Sequence, residues 1–87
     1  MNNDNNMNMT TDESLAFEAV KEIQGMKRDY KRFPDYATIH EVYNSLRHEL
    51  PEGFEESILN ALRSLYRRGL ITHHSTVNGV PMFGIKE

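Results

Sequence analysis

The sequence predicts an α+β fold in which three helices are followed by a two-stranded β-hairpin. Three observations predict it. Thr10–Glu13 and Thr38–Glu41 both have Thr-x-x-Glu spacing. This is the capping box, where the threonine oxygen and the glutamate carboxylate each take an amide the helix leaves unpaired. Behind each box, apolar residues recur at helical spacing. Asn78-Gly79 then sits between two runs rich in β-branched and aromatic residues, a strong short-range hairpin signal.

The chain has 87 residues, enough for one small core and too few for two. Residues 1–9, MNNDNNMNM, contain nothing branched or aromatic. Such a segment cannot bury enough surface to offset its ordering entropy, so it is expected to be a disordered tail ahead of a domain at 10–87. It has neither the basic start nor the apolar centre of a secretory signal.

The first helix is placed at about 11–28. Leu15, Ala16, Ala19, Val20 and Ile23 form its apolar stripe, and Gly25 weakens its last turns. Pro34 biases Phe33 away from helical angles, and Tyr36 and Ala37 suit an extended connector. Ile39, Val42, Tyr43, Leu46 and Leu50 mark a second helix at about 39–49, stopped by Pro51-Glu52-Gly53. Phe54, Ile58, Ala61, Leu62 and Leu65 mark a third at about 54–68. Gly69 stands where a left-handed C-terminal cap belongs. In the hairpin, a two-residue Asn78-Gly79 turn sets Val77 against Val80, His74 against Phe83 and Thr72 against Ile85. Leu70, Thr72, His74, Phe83 and Ile85 then share one face. Pro81 argues that its strand is an edge or starts late.

The run Leu62-x-x-Leu65-x-x-x-Gly69-Leu70-Ile71, followed by a hairpin ending in Phe83-x-Ile85, resembles the third helix and wing of the winged helix-turn-helix superfamily. The resemblance covers about residues 12–86. It implies the order helix, short strand (Tyr36-Ala37-Thr38), helix, helix, strand, strand. It also implies a DNA-binding transcription regulator whose third helix enters the major groove while the wing touches phosphate or minor groove.

The residues speak on both sides of that implication. Ten Lys and Arg against 13 Asp and Glu leave a net charge of −3, without the basic excess of an obvious nucleic-acid binder. The approach to the third helix carries Glu49, Glu52, Glu55 and Glu56 and no cation. Acids there complement the helix dipole, yet they also repel phosphate. The wing tip, Thr76–Val80, is uncharged, and Val77 and Val80 are expected to pair across the strands. Basic residues gather elsewhere. Lys27, Arg28, Lys31 and Arg32 interleave with Tyr30 and Phe33, and Arg63, Arg67 and Arg68 surround Tyr66. Basic plus aromatic is a nucleic-acid footprint, although charge runs at helix ends also serve solubility and the dipole. Ser57, Asn60 and Ser64 are expected on the polar face of the third helix beside Arg63 and Arg67, with Asn60 able to read adenine. The DNA reading therefore names Lys27, Arg28, Lys31, Arg32, Ser57, Asn60, Arg63, Ser64, Arg67 and Arg68.

The competing reading is a protein-interaction module that uses the acidic 49–56 edge, the hairpin or a homodimer seam along the first helix. In it Phe54, Val77, Val80 and Met82 are exposed apolar residues. The two readings differ in surface: the seven cations either form one positive face or are scattered and paired with acids.

No enzyme is expected. There is no nucleophile elbow or phosphate-cradling glycine loop, and a chain this short has little room for a deep pocket. No cofactor or metal is expected either. His40 and His48 are eight apart, and His73 and His74 point to opposite faces of a strand. The absence of cysteine rules out disulfides and thiol chemistry and fits a reducing, cytoplasmic setting. No run approaches the ~20 apolar residues of a membrane span.

Overall fold

The computed structural model describes residues 8–87. Its elements are α1 (Thr11–Asp29), β1 (Ala37–Thr38), α2 (Ile39–Leu46), α3 (Glu55–Arg67), β2 (Ile71–Ser75) and β3 (Pro81–Ile85). Both capping boxes form. The Thr10 and Thr38 hydroxyls accept from the amides of Glu13 and Glu41, whose carboxylates accept from the threonine amides. Residues 1–7 of the segment expected to be disordered lie outside the described residues, while Met9 packs half-buried against the core.

Helix ends follow local chemistry. At the end of α3 the amides of Gly69 and Leu70 donate to the carbonyls of Tyr66 and Leu65, and Gly69 has φ +77°. This is a Schellman cap. α1 ends in the same motif: Lys31 and Arg32 donate to the carbonyls of Arg28 and Lys27. Here the left-handed position is held by Lys31, with φ +58°. α2 stops three residues before its expected end. The amides of Glu49 and Leu50 both turn onto the carbonyl of Leu46. Leu50 precedes Pro51, a position from which helical angles are disfavoured, and its side chain folds back on the core.

The core lies where α1 packs across both α3 and β3. Ala16 and Val20 of α1, Val42 of α2, Ile58, Leu62 and Leu65 of α3, and Ile71 and Phe83 of the sheet are buried there. Buried Gln24 ties helix to sheet. Its Oε1 accepts from the Ile85 amide at 2.9 Å, and its Nε2 donates to Asp35 at 3.3 Å.

The sheet is antiparallel and three-stranded, in the order β1-β3-β2. β3 is therefore the central strand. Pro81 begins it opposite Ser75, and β1 pairs only further along, at Met82 and Phe83. The missing amide thus falls where no second neighbour needs it.

The hairpin register differs by one residue from the expected one. His73 faces Phe83, Thr72 faces Gly84 and Ile71 faces Ile85. Thr76 pairs with Val80, leaving a three-residue loop, and the Gly79 amide donates to the Thr76 carbonyl. Gly79 has φ +83°. This is a type I turn followed by a left-handed glycine, in place of the two-residue turn. With a side-chain period of two, the slip reverses which face each β2 residue occupies. Ile71 and His73 now share a face with Phe83 and Ile85. His74 lies on the other face, where its ring stacks on Tyr36 with centroids 3.8 Å apart.

Candidate nucleic-acid interface

α3 buries Ile58, Ala61, Leu62 and Leu65. Opposite that stripe, at steps of four, three and four residues, stand Glu56, Asn60, Arg63 and Arg67, all exposed. Beside them Tyr66 sets its ring edge-on to His73 of β2, with centroids 5.7 Å apart. His73 in turn stacks on Phe83 at 5.3 Å. Leu59, Arg63, Tyr66, His73, Pro81 and Phe83 line a shallow groove of about 180 Å³. Arg63 is thus a cation at the rim of an aromatic shelf. The expected polar face is otherwise kept, with Ser57 exposed at its start.

Several of the residues expected to contact nucleic acid are engaged within the fold. Lys27 is half-buried, and its Nζ donates to Glu41 Oε1 at 2.7 Å and to the Tyr36 carbonyl at 2.8 Å. Arg28 pairs with Asp35 and, at 2.7 Å, with Glu87. Arg68 Nη1 donates to Glu13 at 3.0 Å. Ser64 is turned away from the outer face onto α1, donating to Glu13 Oε2 at 2.6 Å. The Ser64 hydroxyl helps hold the buried Glu13 carboxyl below its ordinary range, as do the Thr10 amide and Arg68. Arg28 does the same for Asp35. For Glu41, burial pushes upward, but Lys27 and the Thr38 amide outweigh it and the net direction is down.

Lys31, Arg32, Arg63 and Arg67 are exposed and form no ion pair among the described residues. They fall into two places. Arg68, next to Arg67, meets the first turn of α1, whereas Lys31 and Arg32 follow its last. The helix between Glu13 and Asp29 spans about 24 Å at ~1.5 Å per residue. The seven cations therefore form no single continuous face.

The approach to α3 remains acidic. Glu55 pairs with Arg47 at 3.7 Å, and the Arg47 guanidinium lies 5.9 Å from the Phe54 ring centre. Glu49, Glu52 and Glu56 are exposed without an ion pair among the described residues. Of the apolar residues expected to be exposed, Phe54 and Met82 are buried and Val80 is half-buried. Val77 alone is fully exposed, in the turn instead of paired with Val80.

Two features escape the sequence reading. Glu13 reads as a capping residue and also binds Ser64 and Arg68, more than 50 positions away, a contact with no local signal. The Tyr66–His73 contact depends on the strand register. Among the described residues, no three His, Asp or Glu side chains gather as a metal would need, and no helix is long and apolar enough to cross a membrane. Set against protein-family models, curated proteins and solved structures, the chain matches none.

Proposed function

We propose that this chain is a small, non-enzymatic winged-helix module that binds double-stranded DNA through the outer face of α3 and regulates transcription. The observation that carries this reading is the exposed line Asn60–Arg63–Arg67, free of ion pairs among the described residues and flanked by Tyr66 and His73. Arg pairs with guanine or phosphate, and Asn reads adenine. The element order and the three-stranded sheet are compatible with the superfamily that the sequence resembles. Glu56 opens the same line, so contact is made from Asn60 onward, by the C-terminal half of the helix. Two arginines neutralise about two phosphates, which makes binding by a single copy weak and only moderately salt-dependent.

An amide-shift NMR titration with a mixed-sequence duplex tests this. Shifts confined to residues 60–67 and β2, fading between low salt and ~150 mM, are the expected result. No shift at low salt contradicts it. A protein-interaction module is the second reading, favoured by the internal pairing of Lys27, Arg28 and Arg68 and by the uncharged tip at Val77.

A further inference from the structure

The least explained surface of the domain is the end of α1. Met26, Tyr30 and Phe33 lie within eight residues of one another and are 54%, 72% and 69% exposed. Large apolar groups singly on a surface need no explanation, but a contiguous group marks a contact site. Met26 and Tyr30 line a groove of about 220 Å³ together with Ile23, Lys27, Arg32 and Glu41. Lys31 and Arg32 beside it carry charge unused by the fold.

Lys31 adds an independent sign. It occupies the left-handed position of a Schellman cap, which the same chain fills with glycine at the end of α3. A side chain at positive φ is strained where glycine is not. Strained residues of this kind cluster at functional sites. Here the strain falls on an exposed lysine, without an ion pair among the described residues, between exposed Tyr30 and Phe33 in the chain.

The chain also carries a complement to this patch. The turn between α2 and α3 exposes Glu49, Pro51 and Glu52, and the first turn of α3 exposes Glu56, with no ion pair to these acids among the described residues. The groove lies at the N-terminal end of α2, where Glu41 meets Lys27, and the acidic turn follows its C-terminal end. The two surfaces point to a contact between molecules.

We propose that the basic, aromatic end of α1 docks on the acidic 49–56 turn of a second copy of this chain. Tyr30 and Phe33 pack against Pro51 while Lys31 and Arg32 face Glu49, Glu52 and Glu56. The two halves of the contact differ, so each copy offers one of each. The association extends into a short chain, closes as a ring, or pairs patch with turn twice across a two-fold axis. Being charge-steered at its rim, it weakens with salt. It does not depend on DNA binding.

Charge exchange in the full chain tests it. Lys31→Glu with Arg32→Glu makes one variant, and Glu49→Lys with Glu52→Lys the other. All four sites are exposed, and circular dichroism verifies that both variants fold. Sedimentation equilibrium at about 50 mM salt is expected to show concentration-dependent association for the parent chain. Each variant alone should associate at least about tenfold more weakly. An equal mixture should recover association, because the native patch–turn pair and the charge-reversed pair are both complementary between unlike variants. A parent chain that stays monomeric overturns the proposal. So does a mixture that fails to associate. If the first variant instead loses duplex binding while parent self-association is absent, the patch serves nucleic acid and the proposal is wrong.

Discussion

Replacing Glu13 with alanine should destabilise the domain by about 3 kcal/mol, the range for breaking a buried ion pair. The Glu13 side chain is 8% exposed and its carboxylate accepts from the Thr10 amide at 2.9 Å, Ser64 at 2.6 Å and Arg68 at 3.0 Å. Hydrogen bonds to a charged group contribute about 1.5–3 kcal/mol each. Three do not add in full, because they share one acceptor and Arg68 is partly in water. A domain of this size has roughly 4–12 kcal/mol in all, so the loss is a large fraction. Urea unfolding at neutral pH reads it directly. Glu13→Gln, which keeps the shape and the capping acceptor, should cost about half as much. The pH dependence has a definite sign. The folded carboxyl sits below its unfolded value, so its contribution is complete above the unfolded value, near pH 4, and is lost as pH falls through the folded one. Glu13→Gln and the parent should therefore converge as pH falls through the folded value. A Glu13→Ala cost under about 0.5 kcal/mol, or a parent-to-Gln gap unchanged between neutral and acid pH, refutes the role given to this network.

Two further outcomes follow from the packing. Lys31→Gly relieves the positive φ at the end of α1 and should raise stability by about 0.5–1 kcal/mol, read as a higher urea midpoint; a loss would mean that the lysine side chain itself supports the fold. Leu62→Ala empties a fully buried position on the inner face of α3 and should cost about 2–5 kcal/mol, checked by the same unfolding curves.

What was legible in the sequence was local. The capping boxes, the apolar stripes and the glycine after α3 each involve residues within a turn or two of one another, so spacing alone carries them. The end of α2 was less legible because Leu50 keeps helical spacing, yet the following proline takes it out of the helix. The hairpin was legible in kind but not in register. Asn78-Gly79 suits either a two-residue turn or a longer one with glycine last, and the packing of Phe83 and Ile71 into the core accompanies the second. The candidate site was legible as a helix face: Asn60, Arg63 and Arg67 stand where periodicity puts them. It was not legible that Ser64 and Arg68 turn to Glu13, or that Lys27 and Arg28 pair with Glu41 and Asp35. Those partners are set by how α1 meets α2, α3 and the connector that follows it, which no periodicity encodes.

In the proposed function Arg63 and Arg67 supply the electrostatic contact with duplex DNA. The direct measurement is the salt dependence of duplex affinity for the parent chain and for Arg63→Glu with Arg67→Glu. Two phosphate contacts predict a log–log slope of about −1.8, or about a twelvefold loss of affinity between ~50 and ~200 mM salt. The double variant, whose sites are both exposed, should stay folded and lose measurable binding at low salt. A parent and double variant with equal affinity and equal slope would contradict the account.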